Sequence, residues 1–397
     1  MKKAALVLVF SLLFPFLVLA QTDAGQADPI APKPESVTLP AGVAPVDVGA
    51  KEAILIEAAT GTVLYAKDAD TKMAPSSMSK MLTMYLVFEA LKNDKLKMDT
   101  ELATSEHAWK QEGSRMFLNV GQPAKAQDLI RGVIVQSGND AAVVLAESLG
   151  GSEESFALMM NEKAKALGMV NSHFMNATGL PDPQNYSTAH DLAILALALI
   201  RDFPDFYHFF SETEFSFNNI KQGNRNPLLY RSMNVDGLKT GHTDEGGFGL
   251  TASAIRDGRR LIMVLNGMTD MQARADESAK LLDWGYREFS LYPVVKKDTA
   301  VAQAKVWLGT AVAVPLMTTE DVTLSLPRNA RAGLKAVVSY NEPIPAPITL
   351  GQPLGKITIT APGMEPRESV LAAGADVPQI GFFARVAAKL DLLLHKS

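Results

Sequence analysis

Strand-like runs flank a long block of helical patterns, and this arrangement limits the fold more than any other feature of the 397-residue chain. Ala53 to Ala58 and Thr62 to Ala66 read as two strands around the turn Ala59-Thr60-Gly61. Apolar residues then recur at helical spacing from Met78 to Leu86, and again over Ala126 to Val135, Ala141 to Leu149, Glu154 to Leu167 and Ala189 to Ile200. Strands return at Gly247 to Ile255 and Arg260 to Asn266, across an Asp257-Gly258 turn, before an amphipathic helix from Ala273 to Phe289. Such a pattern predicts one α/β (α+β) domain whose sheet is assembled from distant parts of the chain. We place this domain at residues 49–296.

Beyond Val295 the character changes. Val301 to Leu308, Thr310 to Val314, Val322 to Leu326, Leu334 to Ser339, Leu354 to Ile359 and Glu368 to Leu371 are short β-type runs separated by Gly, Pro and Asn. They predict a small all-β sandwich over residues 297–379. Residues 380–397 form a separate tail in which Phe382, Phe383, Val386, Leu390, Leu393 and Leu394 share one helical face, with Arg385, Lys389 and Lys396 among them. A basic amphipathic helix of this kind suits a membrane surface; docking on the body is the competing reading. At the other end, Lys2 and Lys3 precede an apolar stretch, Ala4 to Leu19, that closes on Val18-Leu19-Ala20. Residues 1–20 are expected to be a secretory leader, and the Ala/Pro/Gly-rich residues 21–48 a flexible lead-in.

Composition excludes several chemistries. A net charge of -5 argues against nucleic acid as a partner, because binding it needs a basic face. The absence of cysteine removes thiol nucleophiles and Cys-ligated zinc. The six histidines, at 107, 173, 190, 208, 242 and 395, show no metal-ligand spacing, so neither metal nor cofactor is expected.

Three short motifs carry chemistry: Ser77-Met78-Ser79-Lys80, Ser137-Gly138-Asn139 and Lys239-Thr240-Gly241. Each has a bland counterpart in a helix cap, a turn or a strand end. S-x-N recurs at Ser216, Ser232 and Ser339, and Ser137 is chosen because it opens a helical pattern. In this order and at element boundaries the three form a coherent set. Residues three apart on a helix share a face, so Lys80 can reach the Ser77 hydroxyl. Serine needs a base, and burial together with a second cation, Lys239, would hold Lys80 neutral enough to serve. Ser137 would then relay the proton to a leaving amine, and Asn139 would hold the substrate amide. Lys239 and Thr240 suit a carboxylate, and the backbone N–H groups of Ser77 and His242 an oxyanion.

The body of the chain resembles the D-alanyl-D-alanine carboxypeptidases among the low-mass penicillin-binding proteins. Beyond the three motifs, the resemblance rests on "EGSRMFLNVG" from Glu112, "MNATGLPDP" from Met175, "NRNPLLYRSMNVDGLKTGHTDEGGFGLTASA" from Asn224 and "LLDWGYREF" from Leu281. It implies a penicillin-binding/β-lactamase-like fold with an antiparallel sheet flanked by helices. It also implies Ser77 as the acyl-ester nucleophile, Lys80 as proton acceptor, Ser137 and Asn139 as second motif, and Lys239, Thr240 and Gly241 as substrate-binding strand, followed by His242. Arg225 and Arg274 fall where that family has arginines near the pocket. The implied substrates are peptidoglycan stem peptides and the implied inhibitors β-lactams, on the periplasmic face of the inner membrane. A class A-like β-lactamase is the nearest alternative, but no glutamate lies between Leu167 and Arg201 to activate a deacylating water. A transpeptidase and a non-catalytic wall-binding scaffold are the others.

Overall fold

The computed structural model describes residues 2–9, 18–21, 43–362 and 366–394. They divide into two units, one built mainly from residues 45–287 and one mainly from 288–397.

The first unit contains a five-stranded antiparallel sheet. Its strands are β1 (Glu52–Glu57), β2 (Val63–Lys67), β3 (Val235–Thr243), β4 (Gly247–Arg256) and β5 (Arg259–Met268), in the spatial order β2-β1-β5-β4-β3. β5 pairs with β1, from Leu261 opposite Glu57 to Asn266 opposite Glu52, so the two ends of the domain sequence meet at the centre of the sheet. Between β2 and β3 run α1 (Lys80–Lys92), α2 (Ala126–Ile134), α3 (Asn139–Gly150), α4 (Glu153–Leu167) and α5 (Ala189–Asp202); α6 (Met271–Glu288) follows β5.

Burial on both faces explains why β1 and β5 read as continuous apolar runs. Successive side chains point to opposite sides of a strand. Ile54, Ile56, Ile262 and Val264 join the core beneath the helical block, with Phe88, Leu192 and Leu199. Leu55, Leu261 and Met263 are equally buried on the other face, where Trp284 of α6 meets Tyr65, the partner of Leu55, edge to face at 5.9 Å. α1 buries every residue except Glu89 and Lys92, so it runs through the interior and shows no polar stripe.

The second unit is the expected all-β body, asymmetric in its layers. Ala300–Trp307, Ala313–Thr318, Arg367–Ala373, Pro353–Thr360 and Lys335–Glu342 lie side by side, and Phe289–Val295 pairs separately with Val322–Pro327. Val314, Leu316, Ala336, Val338 and Ile357 from the large sheet share a core with Val322, Leu324 and Leu326 from the small one. The unit's first strand, Phe289–Val295, ends where the composition changes. Residues 2–9 and 18–21, the segment read as a leader, lie as two strands on the Lys335–Glu342 edge, an unpaired edge being a template for any extended segment. Phe382–Leu394 is helical, with Phe382, Phe383 and Val386 exposed. Among the described residues no helix is long and apolar enough to cross a membrane.

Candidate active site

Ser77 sits in a single 3-10 turn, Ser76–Ser79, that leads directly into α1. Side chains at i and i+3 eclipse in a 3-10 turn, and Lys80 Nζ lies 3.0 Å from Ser77 Oγ. The turn starts from a strained point: Ser76 has φ +50°, and it is wholly packed. Two glycines permit that packing. A Cβ on Gly179 would lie 1.9 Å from Ser76 O, and one on Gly241 of β3 would lie 3.0 Å from Pro75 O and 3.1 Å from Ser76 Cβ. The Ser77 turn is thus clamped between the K-T-G strand and the Thr178-Gly179 turn.

Lys80 is fully buried. Its Nζ also bonds Asn139 Oδ1 at 2.6 Å and the Thr178 carbonyl at 2.5 Å. Neither of these two acceptors can supply a proton, so they occupy two N–H groups. In the neutral amine the lone pair is then left facing Ser77. Burial pulls the Lys80 pKa down to about 7, and the Arg225 charge adds to this, against the opposing pull of Glu153 and Asp140. Two cations therefore act around the Lys80 amine, Arg225 and the Lys239 of the sequence reading, since Lys80 and Lys239 repel one another. Arg225 is steered inward from its position between two asparagines: Asn226 Nδ2 bonds the Gly237 carbonyl of β3, and Arg225 itself donates to Ser114 Oγ.

The second motif is placed by the loop before it. Asp140, buried beside Asn139, accepts from Met116 N at 2.8 Å and Leu118 N at 3.1 Å, while Asn139 N donates to Ser114 O. This laces the "EGSRMFLNVG" segment to the start of α3. Asn139 has both ends of its amide engaged, Oδ1 with Lys80 and Nδ2 with the Glu112 carbonyl at 2.6 Å. Within the chain its Oδ1 contact is to Lys80, which it orients. Ser137, two residues earlier, is buried at φ +58°.

Lys239 is 3% exposed on β3, and its Nζ makes one long bond, 3.3 Å to the Thr240 carbonyl. Burial first, then the charges of Lys80, Arg225 and Arg274, hold its pKa well below the usual ammonium range. Arg274 of α6 is itself pushed down to about 10 by burial and by Arg225, its Nε has no hydrogen-bond partner, and its Nη2 reaches the Arg225 carbonyl at 3.5 Å. Three side chains, Lys239, Arg225 and Arg274, converge with spare donors, a site short of one anion. Thr240 and Gly241 are buried on the same strand; His242 is exposed and stacks on Phe248 with centroids 4.0 Å apart. Replacing Lys239 with alanine is expected to lower kcat/KM for a peptide bearing a free carboxyl terminus by ~10²–10³-fold, measured in steady state, because a carboxylate would then enter unpaired.

Sequence reasoning missed Thr178, Asn176, Glu153 and Asp140. Asn176 Oδ1 accepts from Thr178 N and Gly179 N, and Glu153 Oε1 from Ala177 N, together aiming the Thr178 carbonyl at Lys80. The signal was present: "NATG" is the pattern of an Asx turn. Among the described residues there is no His/Cys/Asp/Glu cluster able to hold a metal.

Residues 39–269 match the family model for D-alanyl-D-alanine carboxypeptidase, and residues 289–379 match that for the C-terminal domain of penicillin-binding protein 5. The chain is similar to D-alanyl-D-alanine carboxypeptidase DacC of Escherichia coli, with 41% identity over 347 residues covering 85% of this chain and 87% of that protein. It is similar in structure to penicillin-binding protein 5 of Haemophilus influenzae, with a TM-score of 0.79 and 36% identity over 85% of this chain and 100% of that one. A third likeness, to penicillin-binding protein D2 of Listeria monocytogenes in its ampicillin-bound form, has a TM-score of 0.54 and 31% identity over 61% of this chain and 99% of that one. With its serine–lysine pair, its K-T-G strand and these likenesses over most of its length, the chain belongs to the D-alanyl-D-alanine carboxypeptidase family.

Proposed function

We propose that this chain is a serine D-Ala-D-Ala carboxypeptidase that removes the terminal D-Ala from peptidoglycan stem peptides. The observation that carries the reading is Lys80, whose Nζ is fixed by the Asn139 and Thr178 oxygens with its remaining direction on Ser77 Oγ. Neutral Lys80 takes the Ser77 proton as Oγ adds to the carbonyl carbon of the penultimate D-Ala. The N–H groups of Ser77 and His242 hold the resulting oxyanion. Collapse expels the terminal D-Ala, whose nitrogen receives the proton from Lys80 through the Ser137 hydroxyl. The departing carboxylate rests against Lys239 and Thr240, with Arg225 and Arg274 adding positive charge. Water then cleaves the Ser77 ester with Lys80 again as base. The purified chain should release one equivalent of D-Ala from diacetyl-L-Lys-D-Ala-D-Ala; no release overturns the reading.

The same attack on a β-lactam carbonyl would leave a penicilloyl ester on Ser77, and the ampicillin-bound Listeria relative supports this. The chain is exported by its leader and held at the periplasmic face of the inner membrane by its last helix. Exposed Phe382, Phe383 and Val386 support this anchoring, since large apolar side chains on one helix suit the acyl boundary of a bilayer. A chain lacking residues 381–397 should move from the membrane pellet to the soluble fraction on ultracentrifugation; continued sedimentation refutes the anchor.

A further inference from the structure

Glu153 is a buried carboxylate held between the surface and the turn that carries Thr178. It opens α4 and is 9% exposed, and its two oxygens are committed in different directions. Oε1 takes the Ala177 N–H at 3.0 Å, in the interior. Oε2 lies 2.8 Å from Nε2 of the half-exposed His107. His107 belongs to the short helical turn Glu106–Trp109, which Ser105 fastens in place: its Oγ accepts from Ala108 N and donates to Glu147 Oε1 of α3. Gripped from both sides, the carboxylate cannot rotate without breaking one of the two contacts.

Glu153 reaches Lys80 in two ways. The first is geometric. Ala177 leads directly into Thr178, whose carbonyl takes a Lys80 hydrogen at 2.5 Å, and Asn176 Oδ1 braces the same turn through Thr178 N and Gly179 N. The second is its charge, which favours the protonated form of Lys80. The charged groups around the Lys80 amine are Arg225 and Lys239 on the cationic side and Glu153 and Asp140 on the anionic side. Asp140 is tied to the second motif: it accepts from Met116 N and Leu118 N and stands 4.0 Å from Arg115. Glu153 faces His107, and Glu154, exposed and next on α4, lies in the field of the same imidazole.

We propose that Glu153, gripped between His107 and the Ala177 N–H, is a positioning residue for acylation that aims the Thr178 carbonyl at the base and opposes loss of the Lys80 proton. The inference rests on the carboxypeptidase reading above, in which neutral Lys80 takes the Ser77 proton, and adds a residue to that step. Its two parts act on the rate in opposite directions. Aim speeds the proton transfer, whereas the negative charge holds more of Lys80 in its idle, protonated form. Glutamine separates them: its amide oxygen still accepts from Ala177 N and its amide N–H can donate to His107 Nε2, but the charge is gone.

The test follows the rate at which the purified chain is acylated by a fluorescent penicillin between pH 5.5 and 9. Without the negative charge Lys80 gives up its proton more readily, so in Glu153→Gln the rising limb should move down by ~0.5–1 pH unit, making acylation at pH 6 ~3–10 times faster than in wild type. Glu153→Ala should move the limb the same way and lower the rate above pH 8 by about tenfold, because the Ala177 N–H loses its acceptor and the Thr178 carbonyl its aim. Glutamine should recover most of that loss. A limb in Glu153→Gln that stays at the wild-type position, or moves up, would overturn the proposal. So would an equal loss of rate in both variants at every pH, the mark of a purely structural carboxylate. A wild-type chain that penicillin acylates without a rising limb, or not at all, would instead refute the reading of Lys80 as base, and this inference with it.

Discussion

Ser77→Ala leaves no covalent penicillin adduct, and D-Ala release from a D-Ala-D-Ala peptide falls by at least ~10⁴-fold, because residues that act as a nucleophile–base unit lose nearly all catalysis together. Intact-protein mass after penicillin exposure reads the first effect, and a D-Ala assay reads the second. The substitution should be silent for folding: Ser77 is only half-buried, and the turn is held by Gly179 and Gly241 packing on Ser76. A melting temperature within a few degrees of wild type would confirm that chemistry alone was lost. An adduct persisting in Ser77→Ala, on Ser137 for instance, would show that the nucleophile had been misassigned.

Lys80→Met is expected to slow acylation by ~10²–10⁴-fold, the usual contribution of a positioned general base. Its signature is in the pH profile. The wild-type amine is the active form, so acylation should rise with pH through about 7, the value to which burial and Arg225 bring Lys80. Lys80→Met should lack that limb; a profile unchanged by the substitution would exclude Lys80 as the base. Stability follows the same group with a defined sign. Between about 7 and the unfolded value of 10.5, the unfolded chain binds a proton at Lys80 that the folded chain does not. Stability from this residue therefore rises with pH across that window. Thermal melts of wild type and Lys80→Met between pH 7 and 9 should differ in slope by the proton that Lys80 accounts for.

These two residues were legible because their relationship is local. Ser77 and Lys80 are three residues apart, and any helical or 3-10 turn brings them together. The sheet formed across the helical block was readable for a similar reason: its central strands β1 and β5 are apolar over most of their length, and two covered faces need helices on both sides. The choice of Ser137 over three other S-x-N triplets rested on its place at a helix start, and the structure puts its asparagine against Lys80.

Local spacing and apolar periodicity thus determined the meeting of Ser77 with Lys80, the order of the motifs and the division into an α/β body and an all-β body. Only the tertiary structure decided what surrounds the Lys80 amine. Asn139 comes from 59 residues away and the Thr178 carbonyl from 98, and both end on one nitrogen. The structure also added Arg225 to the charges that depress Lys80, and engaged Asn139 with the lysine. Hydrogen-bond acceptance by a backbone carbonyl and the field of a distant charge leave no periodic trace in a sequence, because they depend on where the chain returns and not on how it turns.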